Sequence, residues 1–127
     1  MTKKRTIAVF ACVVLVLCFI AFLWVICSVG DVASFSLEDF SDEIQMHPSD
    51  RSVGEVATAS QMKTKSLEVL TDVYGYDVYF RFPFCVYFDE ENQAWLMRGS
   101  FFFEESGPCI IISKADGKVL AVWDYKF

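Results

Sequence analysis

The chain has 127 residues, 54% of them apolar, and a formal net charge of −6. That length holds one ordinary domain and an appendage at most. The acidic balance disfavours nucleic acid and anionic lipid heads as partners and suits a basic protein, although plain solubility explains it equally well.

Residues 1–6 are a basic flank carrying Lys3, Lys4 and Arg5, and Ile7 to Gly30 follow without one charge. A helix of 24 residues spans roughly 36 Å, enough for a hydrocarbon core of about 30 Å with some tilt. Residues 7–30 are therefore expected to be a single-pass transmembrane anchor. Signal-peptide cores are shorter, about 7–15 residues, but Ser28-Val29-Gly30 has the form of a cleavage site, so processing after Gly30 stays open. Lysine and arginine near a span orient it, which places the N-terminus in the cytoplasm and residues 31–127 outside. That outer part holds all 17 acidic residues and 8 of the 11 basic ones, a net charge of −9.

Residues 31–57 read as a polar stalk. Ser36 to Met46 suits one short helix, which His47-Pro48-Ser49-Asp50 would break. His47 is the chain's one histidine. Without a second metal-ligand type spaced near it, it is read as inert.

Residues 58–127 are expected to form a small α+β domain. Thr58-Ala59-Ser60-Gln61 has the form of a capping box. From there Ala59, Met62, Ser66, Val69, Leu70 and Val73 recur at helical spacing, until Gly75 offers a left-handed stop. The period then becomes alternating. A first strand is expected over Val78–Phe88, interrupted at Pro83. A second runs from Trp95 to Phe103 after the Asp89–Asn92 turn, and a third from Cys109 to Lys114. Asp116-Gly117 is a hairpin signal. Beyond it Val119, Ala121, Trp123, Tyr125 and Phe127 should share one face, with Trp95 and Trp123 both turned to the helix. The expected architecture is one main helix on an antiparallel meander of about four strands. Cys85 and Cys109 fall in strands, where two buried free thiols are expected and a disulfide is open until geometry decides.

No catalytic constellation is legible. The domain has no histidine to activate a serine or cysteine, and no CxxC, HExxH, EF-hand or phosphate-binding glycine loop. No metal, cofactor or small-molecule substrate is expected. The second sheet face is the better lead, with Tyr79, Arg81, Tyr87, Leu96, Arg98, Phe102, Leu120, Val122, Asp124 and Lys126 expected to share it. Tyrosine, arginine and other aromatics are enriched at protein interfaces. A half-solvated face that merely uses good strand formers is the plainer alternative.

The helix ending "VYG", the "FCVYFD" strand after proline, the W-x-x-x-G of "WLMRGSF" and "IIISKADGKVLAVWDYK" occur in a telling order. Together they make residues 58–126 resemble the small NTF2-fold immunity proteins of bacterial polymorphic toxin systems. The chain departs from that family in having Ser106-Gly107-Pro108 where paired glycines are usual, and Tyr125 where a histidine often precedes the final lysine. The resemblance implies an NTF2-like domain outside the bacterial cytoplasmic membrane that binds a cognate toxin and neutralises it without catalysis. A PepSY-like domain, which restrains a peptidase or serves envelope sensing, shares the helix, the tryptophan strand and the "DGKVL" ending.

Overall fold

The computed structural model describes residues 2–27, 32–99 and 107–125. Helix α1 covers Thr2–Cys27, and one segment of it, Thr2–Trp24, is long and apolar enough to cross a membrane. None of that segment is buried against the rest of the protein.

The remainder is α+β. Helix α3 (Ala59–Tyr74) begins as the sequence directs, with Thr58 Oγ1 accepting from the Gln61 backbone N–H at 3.2 Å. The Gln61 side chain reaches back one residue beyond the cap, to the N–H of Ala57 at 2.8 Å. The first bond satisfies a donor that a helix start leaves orphaned, and the second ties down the residue just before the cap. Met62, Ser66, Val69 and Leu70 form the buried stripe, whereas Val73 is half exposed. Gly75 ends the helix at φ 86°.

Five strands form one mixed sheet whose spatial order follows the chain. Strands β2 (Phe84–Asp89), β3 (Ala94–Gly99), β4 (Gly107–Ser113) and β5 (Val119–Tyr125) are the expected antiparallel meander. The two-residue strand β1 (Ala33–Ser34) adds a parallel edge against Tyr87 and Phe88. On one face α3 covers Phe84, Val86, Trp95, Met97, Ile110, Ile112 and Val119. Trp95 anchors this layer, with its ring 4.5 Å from Phe88 and its Nε1–H donating to the Val56 carbonyl at 2.8 Å.

The segment expected to be a polar stalk is the second covering layer instead. A 3-10 turn (Leu37–Phe40) runs into the short helix α2 (Ser41–Met46). Phe35, Leu37, Phe40 and Ile44 lie against Leu96, Cys109, Ile111, Ala121 and Trp123 on the opposite sheet face. The chain then returns along β5, through bonds from Val122 N to His47 O (3.1 Å) and from Val119 N to Arg51 O (2.9 Å). Burying a sheet's second face is favourable, and three apolar residues at helical spacing suffice even within an acidic stretch.

Two further expectations are corrected. Residues Tyr76–Phe80 form a 3-10 helix, not a strand, and the cis bond Phe82–Pro83 precedes β2. Trp123 faces α2, with its ring 5.9 Å from that of Phe40, while Trp95 faces α3. The cause is a bulge. Ile111 pairs with Ala121 but Ile112 pairs with Val119, so Leu120 is the unpaired residue. One extra residue switches the alternation between faces, which sends Val119 to one core and Trp123 to the other.

Asp89 ties the second layer to the sheet. Its buried carboxylate accepts from Leu37 N–H (2.8 Å), Asn92 N–H (3.1 Å) and the Asn92 amide (2.8 Å). The Asn92 amide above all, with the Leu37 N–H, holds the carboxyl below its ordinary range. A carboxylate whose pKa is depressed by folding stabilises the fold above the unfolded pKa, and that support fades as pH falls through the folded one. Amide exchange at Leu37 and in α2 should therefore accelerate on the acid side of the ordinary carboxylate range, before α3 loosens. In Asp89→Asn this step should disappear. An unchanged acid profile in that variant would assign the loss to other groups.

Candidate partner-binding surface

The residues expected to share one open face do not do so. Tyr87, Leu96 and Arg98 lie on the α2 side of the sheet, and Leu96 is only 2% exposed within the core there. Tyr79 lies on the 3-10 helix and is exposed. Arg81 and Asp124 line a cleft at the end of α3. Val122 packs toward the α3 core and Leu120 toward the other. Phe102 and Lys126 lie outside the described residues.

Two groupings result. The first is the end of the second face that α2 does not cover among the described residues. In-register pairing sets Cys85 beside Arg98 and Arg98 beside Cys109, with Tyr87 beside Leu96 in the next row. Cys109 is buried under the α2 layer, but Cys85 is exposed and Tyr87 and Arg98 are half-buried. Burial of the Tyr87 ring, and next the nearby Cys85 thiol, push the phenol's pKa up, while the Arg98 charge pulls it back. No disulfide joins Cys85 to Cys109, and the intervening strand explains why. Two strand spacings are about 10 Å, beyond the roughly 7 Å that a disulfide allows between Cα atoms. Cys85 is thus a surface thiol, against the expectation that it would be buried.

The second grouping is a cleft of about 160 Å³ lined by Tyr74, Asp77, Val78, Arg81, Pro108 and Asp124. Burial, then the Asp124 charge, raise the Tyr74 phenol above its ordinary value. Sites for drug-sized ligands start near 300 Å³, so this cleft suits a single side chain or small polar group. Two carboxylates and one guanidinium thus line the same cleft.

Tyr74, Tyr76 and Phe80 were missed by the sequence reading. The run "YGYDVYF" held the signal, a cluster of aromatics directly after a helix stop, but its alternation matched a strand. Among the described residues, no group of three or more His, Cys, Asp or Glu side chains is placed to hold a metal ion. Compared with protein-family models, curated proteins and solved structures, the chain gives no match.

Proposed function

We propose that this chain is a membrane-anchored, extracytoplasmic immunity protein whose NTF2-like domain neutralises a cognate bacterial toxin by direct, non-catalytic binding. The observation that carries this reading is the half-open end of the second sheet face. There Tyr87 and Arg98 combine apolar area with polar handles, beside an otherwise closed and well-packed sheet, and that combination marks protein interfaces. The basic flank before α1 and the acidic stretch after it suit an anchor with the domain outside. An acidic surface hastens encounter with a basic partner, and tethering raises the protein's effective concentration where an envelope-acting toxin arrives.

The test is co-expression of the full chain with the product of the gene beside its own, scoring survival and recovery of the pair in mild detergent. Protection and co-recovery are expected. Arg98→Ala should weaken binding by at least about 1 kcal/mol, the level that marks an energetically important interface residue. Its near-ultraviolet dichroism should stay unchanged. A folded Arg98→Ala chain that protects fully would move the interface elsewhere, and recovery of an envelope peptidase in place of a toxin would favour the PepSY-like reading.

A further inference from the structure

The surface that follows α3 groups five exposed large apolar or aromatic residues. Val73 and Tyr74 end the helix, and Tyr76, Tyr79 and Phe80 lie on the 3-10 helix, with Tyr76 78% exposed and Phe80 66%. Side chains three apart eclipse on a 3-10 helix, so Tyr76 stands over Tyr79 and Asp77 over Phe80, while Val78 is buried. The rings of Tyr76 and Tyr79 stack accordingly, with centroids 6.4 Å apart and planes 19° from parallel. A grouped patch of this kind marks a contact site, in contrast to scattered single apolar residues. It is continuous with the 160 Å³ cleft, because Tyr74 ends the helix and lines the cleft, and Asp77 lines it from the 3-10 helix.

Charge identifies the occupant. The cleft carries Asp77 and Asp124 against Arg81, an excess of one negative charge. Asp72, in the last turn of α3, is matched by Arg51 through a 2.8 Å ion pair, so it leaves that excess in place. The end of α3 adds the negative pole of the helix dipole, and its last turn holds no basic residue to offset it. A narrow, net-negative cleft beside stacked phenol rings suits a cation carried on a slender apolar stem, the form of a long basic side chain. Arginine fits better than lysine, since its planar guanidinium pairs with carboxylates in fork geometry and also stacks on aromatic faces. A second copy of this chain is disfavoured as the occupant, because both partners would bring an outer part of net charge −9.

We propose that this region docks a basic segment of a partner protein, which lays apolar side chains on Tyr76, Tyr79 and Phe80 and seats one arginine in the cleft beside Asp77 and Asp124. The rings supply contact area at little entropic cost, and the carboxylates supply the choice of a cation. The inference goes beyond the reading above. It assigns a second contact surface, at the end of α3, and it holds whether or not the partner is a toxin.

The test titrates the full chain in phosphatidylcholine nanodiscs with the peptide acetyl-Leu-Arg-Leu-amide, following the ring resonances of Tyr74, Tyr76 and Tyr79 by NMR. The same peptide with citrulline in place of arginine is the neutral control of equal shape. Saturable shifts at all three rings are expected, with the arginine peptide binding about fivefold tighter, the sum of one exposed ion pair and one cation–π contact. In the double variant Asp77→Asn, Asp124→Asn that preference should vanish while amide exchange in α3 stays unchanged. Equal binding of the two peptides, or a preference for arginine that survives in the double variant, would overturn the seating of a cation in the cleft. Absence of a saturable shift with either peptide up to about 10 mM would overturn the docking surface itself. Shifts that follow chain concentration without peptide would give the patch to a second copy, and broadening of Tyr76 and Tyr79 by spin-labelled lipid would give it to the membrane; either overturns the proposal.

Discussion

Replacing Trp95 by alanine should cost about 3–5 kcal/mol, the usual range for removing a buried aromatic from a core. Trp95 lies on a central strand under α3, among Met62, Leu70, Met97 and Ile112, so the vacated volume is walled by both layers. Its Nε1–H also ties the sheet to the segment entering α3, through the 2.8 Å bond to the Val56 carbonyl across 39 residues. Trp95→Phe keeps most of the apolar area and deletes that bond, leaving a buried carbonyl without its donor at about 1–3 kcal/mol. Trp123 provides the comparison. It is equally buried, but its Nε1–H has no hydrogen-bond partner among the described residues, so Trp123→Phe deletes no bond seen there. Thermal unfolding of the full chain in mild detergent, followed by near-ultraviolet dichroism, should rank Trp95→Ala as least stable and Trp95→Phe below Trp123→Phe. Equal midpoints for the two phenylalanine variants would show that the Val56 bond contributes nothing measurable.

The same two tryptophans show where the sequence was legible. Helix α3 could be read because its cap, its period and its stop are all local signals. The α1 segment could be read because length and absence of charge decide it. The meander could be read because hairpin turns announce themselves at Asp116-Gly117 and Asp89–Asn92. The faces of β5 could not, since the bulge at Leu120 is a property of pairing with β4 and leaves no local mark in "VLAVWDY". Residues 35–44 were hidden for a different reason. Their apolar stripe is three or four residues among serines and acids, too short to outweigh composition until a bare sheet face is seen waiting for it. The face expected to meet a partner was split by the Leu120 bulge and by a 3-10 helix that alternation disguises. Alternation placed Tyr79, Arg81, Tyr87 and Asp124 together on paper, whereas a 3-10 helix and a bulge divide them between the two sides of the sheet.

The turn that was easiest to read also carries the second large effect. Gly117 sits at φ 68° in the β4–β5 hairpin, and a Cβ there would run into the backbone of Gly54. The hairpin is a dock for the chain approaching α3. Ser52 Oγ donates to the Asp116 carbonyl (2.9 Å), Val53 N–H to Gly117 O (2.9 Å) and Val56 N–H to Lys114 O (2.9 Å). Both sides of the clash are main chain held by these bonds, so neither can step aside cheaply. Gly117→Ala therefore combines a left-handed backbone penalty with overpacking against an immobile neighbour, together about 2–5 kcal/mol. Gly54→Ala isolates the first of these effects. Gly54 also has positive φ, 77°, but its Cβ would meet only the flexible Lys65 Nζ at 3.9 Å. That variant should cost no more than the backbone penalty of about 1–2 kcal/mol. Amide exchange should separate them further, with Val53 and Val56 losing protection in Gly117→Ala and retaining most of it in Gly54→Ala. If the two variants unfold together, the hairpin and the incoming segment are not in the close contact described, and Val56 is held in the core by α3 and Trp95.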